Sequence, residues 1–370
     1  MDDPGRSGGV RAVRSRIPPL ARAAARYLSR HPDPGVFAVV RLKGEVESEI
    51  DALADRIFAD VEAALEDAAE AGEVDLPGPA RFDYDTRLLL PAMLTLGRLH
   101  VRAGDVPVRR RVGTVDEGLL DRGREVTLEI VRALLDGDMR DAINDEEYVD
   151  FETNARPRER AAAIAQERLR ERVEAWFHRP ETPDAVAEHY RHAVAVSERH
   201  QDQDAGFREL RGRLAAGEAG PDELRERYKH ADVADPPAIL AAESDLPYFA
   251  TQYERVGVIY EGMLGMYEAA LGIELDPGYK RSIVLMVIAA QIGLDDTDDY
   301  PADRGEQLTP VTAELLVNDP GPGVELLRGI ATTYLDRAAG YADDHLAGMA
   351  IAYIREQARD RLDRLAATAG

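Results

Sequence analysis

No cysteine occurs anywhere in the 370 residues. This excludes a disulfide scaffold, thiolate-ligated zinc, iron–sulfur clusters and a thiol nucleophile. Lysine is almost missing too: Lys43, Lys229 and Lys280 stand among 46 basic residues, the rest being arginine. The longest apolar run, Ile283 to Leu294, falls short of the roughly 20 residues needed to span a bilayer, so no transmembrane segment is expected. Also missing are a Gly-x-Gly-x-x-Gly turn, a phosphate-binding Gly-Lys-Ser/Thr loop and a Gly-x-Ser-x-Gly elbow. Nucleotide-driven and hydrolytic chemistry therefore have no motif to carry them.

What the chain has in excess is acid. Seventy Asp and Glu against 46 Lys and Arg give a net charge of −24. An acidic surface with arginine in place of lysine suits a protein hydrated in molar salt, and a cytoplasmic, salt-adapted protein is expected. The same surface repels nucleic acid, and no basic, aromatic-interleaved patch compensates. Only residues 1–35 are basic, with Arg6, Arg11, Arg14, Arg16, Arg22, Arg26 and Arg30 and no acid between Asp3 and Asp33. They read as a flexible arm, solvated or in weak contact with an anionic membrane surface, and the lack of an apolar h-region excludes a secretory signal.

Proline and glycine cut the remainder, 36–370, into helical lengths, and the expectation is a single all-α domain. Ile50, Leu53, Ile57, Val61 and Leu65 give a helix over 45–71 that stops at Gly72. Further helices are expected over 85–103, 117–144, 157–178, 183–200, 205–216, 221–230, 247–271, 277–299, 310–317, 323–341 and 343–367. Only the stretch from Phe37 to Leu42 reads as a strand. Tyr248, Tyr253, Tyr260, Met263 and Tyr267 recur at helical spacing, as core packing or as walls of an apolar pocket. His178, His189, His192 and His200 lack a Glu-x-x-His signature and are expected to be exposed.

The densest chemistry is Gln291-Ile-Gly-Leu-Asp295-Asp296-Thr-Asp298-Asp299, which closes the longest apolar run. Four carboxylates there repel one another, so a cation should offset them. Asp295 and Asp299 stand at i and i+4, on one helix face, with Asp296 and Asp298 beside them. That arrangement offers a cradle for Mg²⁺.

From Tyr253-Glu-Arg255-Val-Gly257, through Gln291 and the acidic cluster, to Arg304-Gly305 and Pro310, the chain resembles the second aspartate-rich region of the class I all-α isoprenoid synthases. Asp295, Asp296 and Asp299 after Gln291 are similar to the Asp-Asp-x-x-Asp of trans-prenyl diphosphate synthases. Asp295 and Asp299 followed by Arg304-Gly305 and Pro310 are similar to the Asp-x-x-x-Asp element of squalene and phytoene synthases. The resemblance covers about residues 247–316 and implies a helical bundle of the isoprenoid synthase type, Mg²⁺ as cofactor and a prenyl diphosphate as substrate.

Such enzymes carry a facing acidic motif upstream. The candidate is Asp136-Gly-Asp138-Met-Arg-Asp141-Ala-Ile-Asn144-Asp145, in which Asp141 and Asp145 match Asp-x-x-x-Asp. The resemblance then implies metal binding by Asp141, Asp145, Asp295, Asp296 and Asp299. Arg304, Arg255, Lys280, Lys229 and Tyr253 would meet the substrate, and Gln291 would orient the motif. Chain elongation, head-to-head condensation and cyclisation stay open, as does assembly as a homodimer or with another synthase. The alternative is a non-catalytic subunit of this fold that regulates or assembles with an active synthase, since the first motif is degenerate.

Overall fold

The computed structural model describes residues 18–31, 35–84, 86–103, 117–144, 148, 151–232 and 237–368. They are helical almost throughout, so the all-α class holds; the one sheet among them is a two-stranded ribbon. The chain groups into two compact units, one of Phe37–Ala195 with Ile259–Leu275, the other of Met1–Val36, Val196–Val258 and Asp276–Gly370.

In the first of these units the helix Gly35–Glu70 buries Leu42, Val46, Ile50, Leu53, Ile57, Val61 and Leu65 along one stripe. That stripe explains why the strand expected at Phe37–Leu42 is helix instead. Leu42 and Val46 continue the four-residue spacing of the core face backwards, and the period of 3.6 wins over local β-propensity. The helix stops where expected: Gly72 has φ +77°, and the amide of Glu73 closes on the Ala68 carbonyl at 2.9 Å. Helices Leu90–Ala103, Glu117–Asn144 and Arg158–Phe177 pack in sequence order. A Cβ on Gly123 would lie 2.8 Å from the Leu99 side chain, so glycine sets the first of these approaches. Strands Phe82–Tyr84 and Phe151–Thr153 pair antiparallel, with Asp83 opposite Glu152, and Phe82 stacks on Phe151 at 5.9 Å.

The second unit is built on the helix Pro277–Ala290. Asp276 caps it by accepting from the amides of Gly278 (2.7 Å) and Tyr279 (3.1 Å), and Pro277 supplies a pre-set first turn. Ile283 to Ala289 are all buried, against the helices Pro320–Tyr341 and His345–Thr368 and the turn Tyr253–Gly257. A side chain on Gly257 would crowd Val284 and Ile288 at 3.3 Å, and one on Gly293 would meet Ala358 at 2.7 Å. These two glycines seat the segments that carry the acidic cluster. Residues 19–30 of the basic arm form a helix on His345–Thr368, where Arg22 (3.1 Å) and Arg26 (2.8 Å) both reach the buried Glu356. No helix among the described residues is long and apolar enough to cross a membrane.

Candidate functional site

Two helices widen into π-turns as they reach the acidic cluster. In the turn Gln291–Asp295 the amide of Asp296 returns to the Gln291 carbonyl, and in Tyr253–Gly257 the amide of Val258 returns to Tyr253. An i+5 bond inserts one extra residue and re-aims every side chain beyond it. Here the two turns aim Arg255 and Gln291 at one atom. Asp296 Oδ1 accepts from Arg255 Nη1 at 2.9 Å and from Gln291 Nε2 at 3.1 Å.

Asp296 is 1% exposed, and its Oδ2 is buried without a hydrogen-bond partner. Burial pushes its carboxyl above the usual carboxylate range, while Arg255 and Gln291 pull it down without cancelling the shift. Burial also works against the Arg255 charge, yet Asp296, Tyr228, Asp303 and Asp204 outweigh it and hold the guanidinium protonated. The cluster thus has a cation of its own. Asp298 is held outside it by Arg361 Nε at 2.6 Å and by Arg364 at 3.6 Å.

Asp295 is half-buried and Asp299 exposed. The Asp299 amide donates to the Asp295 carbonyl at 2.9 Å, so the two residues are one α-turn apart. Tyr253 is buried and stacks on Phe249 at 5.7 Å. Arg304 is exposed, and its carbonyl accepts from the Arg211 guanidinium. Lys280 is half-buried at the start of Pro277–Ala290. Lys229 is tied into the fold: its Nζ lies 2.5 Å from Oε1 of the buried Glu314, which also accepts from the Tyr248 hydroxyl at 2.8 Å.

The upstream acidic segment belongs to the other unit, on helix Glu117–Asn144. Asp141 is half-buried there, and Asp145 lies outside the described residues. Asp136 is buried and accepts from Tyr190 (2.5 Å) and Gln166 (2.9 Å), while Asp138 accepts from the Tyr84 hydroxyl. The tyrosines singled out by their spacing are core residues with internal partners. Tyr260 donates to the Leu88 carbonyl at 3.0 Å and Tyr267 to Thr127 at 2.8 Å.

Around Arg255 the structure adds residues that sequence spacing did not select. Asp204, on helix Asp184–Ala215, acts on both Arg255 and Tyr228. One turn earlier His200 is 8% exposed, 3.9 Å from Glu254, with its ring 5.7 Å from Phe207. His200 was expected to be exposed. It is buried because the helices expected on either side of it are one, which carries the stripe of Val196, Ser197 and His200 inward. The i, i+4 spacing of His200 and Asp204 was the signal that could have flagged them.

A metal's fit can be judged on these donors. Among the described residues no three carboxylate or imidazole groups converge. Mg²⁺ does not require three, since it commonly takes one or two carboxylates and completes its shell with waters and substrate phosphates. Asp295 and Asp299 supply two hard oxygen donors one turn apart, whereas Asp296 has turned to Arg255. The residues fit as a pair and not as a trio. No protein-family model, curated protein or solved structure matches the chain.

Proposed function

We propose that the chain is a Mg²⁺-dependent isoprenoid synthase that ionises an allylic prenyl diphosphate, with Asp295 and Asp299 as its metal-facing pair. The observation that carries this reading is the division of labour in the acidic cluster. Asp296 is turned inward and braced by Arg255 and Gln291, while Asp295 and Asp299 stand one turn apart beyond the helix Pro277–Ala290, whose Ile283–Ala289 are all buried. That division supports the Asp-x-x-x-Asp type of motif over Asp-Asp-x-x-Asp, in which Asp296 would also be a ligand.

Bound by the pair, Mg²⁺ would supply the charge that stabilises a departing pyrophosphate. The chain's own contribution is positional. Helix Pro277–Ala290 fixes the height of Asp295 and Asp299, and the Arg255 brace keeps Asp296 from competing for the cation. Arg304, exposed beyond the cluster, would meet a diphosphate oxygen, whereas Lys229 is paired with Glu314. Asp141 and Asp145 remain in the proposal as further metal-binding carboxylates.

A second reading, the non-catalytic subunit, is favoured by one specific observation: Asp136 and Asp138 of the upstream segment are taken by tyrosine hydroxyls. Pyrophosphate release in molar KCl with Mg²⁺ separates the two, using allylic diphosphates of five to twenty carbons with and without isopentenyl diphosphate. Turnover that falls at least about 100-fold in Asp295→Asn/Asp299→Asn, with unchanged helical circular dichroism, supports the synthase. A folded wild-type chain without turnover overturns it and leaves the subunit.

A further inference from the structure

We infer that Lys229 and Asn318 become joined by a side-chain amide bond, formed on the buried carboxylate of Glu314 with loss of ammonia. The choice of cation is the first sign. Among the described residues the buried carboxylates held in ion pairs are Glu129, Glu243, Asp296, Glu314 and Glu356. Four of them pair with arginine. Glu314 pairs with lysine, in a chain that has three lysines among 46 basic residues. A guanidinium stays protonated in a protein, whereas an ammonium can give up a proton and become a nucleophile.

The second sign is what the two oxygens of Glu314 hold. Oε1 accepts from Lys229 Nζ at 2.5 Å and from the Tyr248 hydroxyl at 2.8 Å, while Oε2 accepts from Asn318 Nδ2 at 3.0 Å. An amine and a carboxamide therefore sit on the two ends of one carboxylate, itself 2% exposed. Both are anchored through the backbone. Lys229 ends the π-turn Arg225–Lys229, and its carbonyl accepts from the Tyr248 amide at 2.6 Å. Asn318 closes the helix Pro310–Val317, and its Nδ2 also donates to the Glu314 carbonyl at 3.0 Å. Tyr248 has φ +64°, a left-handed backbone rare for an aromatic residue, which persists only where its surroundings over-determine it. Its hydroxyl on Glu314 and its amide on Lys229 do so.

The step balances without a co-reactant. The Lys229 ammonium gives a proton to Glu314 Oε1, and the resulting amine attacks Cγ of Asn318. The Nζ–Cγ bond forms and the Cγ–Nδ2 bond breaks. Glu314 carries two protons in turn from the attacking nitrogen to the departing one, which leaves as ammonium, and ends as a carboxylate again. The Tyr248 hydroxyl stays on Oε1 when the amine has left, so the buried oxygen keeps a donor. The product closes the chain between 229 and 318, a covalent constraint of the kind that a disulfide supplies in chains with cysteine. It goes beyond the synthase reading and does not depend on it.

Mass spectrometry of the full chain tests the bond. The folded protein is kept in molar KCl until its mass is constant and is then denatured and weighed. Wild type is expected to lie one ammonia, about 17 Da, below the mass of its sequence. Trypsin should leave Lys229 uncut and release one branched peptide that holds both Lys229 and Asn318. Lys229→Arg, Asn318→Ala and Glu314→Gln should each keep the full mass. Should Glu314→Gln fail to fold, Lys229→Arg, which keeps a cation on the carboxylate, and Asn318→Ala carry the comparison. A wild type at full mass overturns the bond. So does a loss of ammonia that persists in Lys229→Arg, because a cyclised asparagine would then account for it.

Discussion

The two acidic segments, Asp136–Asp141 in one unit and Asp295–Asp299 in the other, look alike in sequence and are satisfied by opposite means. On the regular helix Glu117–Asn144, Asp136 takes a tyrosine hydroxyl and a glutamine amide and Asp138 a second hydroxyl. At the irregular end of Pro277–Ala290, Asp296 and Asp298 take guanidinium groups instead. Burial raises the carboxyl of both Asp136 and Asp296, but the leading opposing influence is Tyr190 in the first case and the Arg255 charge in the second. Neutral donors in a buried setting satisfy the carboxyl oxygens of Asp136 by hydrogen bonding, with the Arg140 and Arg170 charges as lesser influences. Guanidinium groups meet the second segment with fixed positive charge, at Asp296 from Arg255 and at Asp298 from Arg361 and Arg364. The first pattern suits a structural brace, the second a site.

The largest expected effect would come from breaking the neutral brace. Asp136→Ala strands the Tyr190 hydroxyl and the Gln166 amide in a buried setting and is expected to cost about 3 kcal/mol. Denaturant melts would show it as a lower midpoint with an unchanged slope. Asp296→Ala should cost less, about 2 kcal/mol, although Asp296 is as deeply buried. The guanidinium it leaves behind is 40% exposed and can turn to water. Equal losses at the two positions would erase the distinction between brace and site.

The same comparison has a pH signature. Asp136 holds its proton more tightly in the folded chain than in the unfolded one, because burial leads and Tyr190 and Gln166 offset it only in part. A raised carboxyl contributes stability that is fully present below the ordinary carboxylate range and is lost as pH rises through the raised value. Wild-type stability should therefore contain a component that declines with rising pH above the usual aspartate range, and Asp136→Asn should lack it. Melting both proteins across mildly acidic pH, in constant salt, checks the sign; identical pH profiles would place the raised group elsewhere.

Much of this architecture was legible in the sequence, and the illegible parts have one physical origin. Helices Glu117–Asn144 and Pro310–Val317 fall where periodicity and punctuation put them, because Pro310 and the Thr309–Thr312 capping box announce the latter and an unbroken 3.6 period the former. The expected 277–299 and 247–271 helices exist but are interrupted by π-turns, which no residue type marks. An insertion of one residue leaves composition untouched while turning every side chain beyond it. For that reason Asp295, Asp296 and Asp299 could be selected together from the sequence, yet the separation of Asp296 from the pair could not. Asp204 and His200 escaped for a related reason: their partners, Arg255 for Asp204 and Glu254 for His200, come from a distant segment, and only tertiary packing brings such groups within reach.

The smallest expected effect is also the most discriminating. Asp299 is exposed and, at the N-terminus of the short helix Tyr300–Asp303, makes no side-chain cap. Replacing it by Asn alters charge without altering size, so Asp299→Asn should change stability by less than about 0.5 kcal/mol in the absence of divalent cation. The sign should be stabilising. Asp295, Asp296, Asp298 and Asp303 all lie close in sequence, and removing one negative charge from such a group relieves repulsion that Arg255 on Asp296 and Arg361 and Arg364 on Asp298 offset only in part. With Mg²⁺ added, the order should invert, because wild type gains binding free energy in the folded state that the variant has lost. Thermal melts of the two proteins with and without Mg²⁺ decide between a cation-ready edge and a second structural brace. A Mg²⁺-independent loss of a kilocalorie or more would put Asp299 in the same class as Asp136.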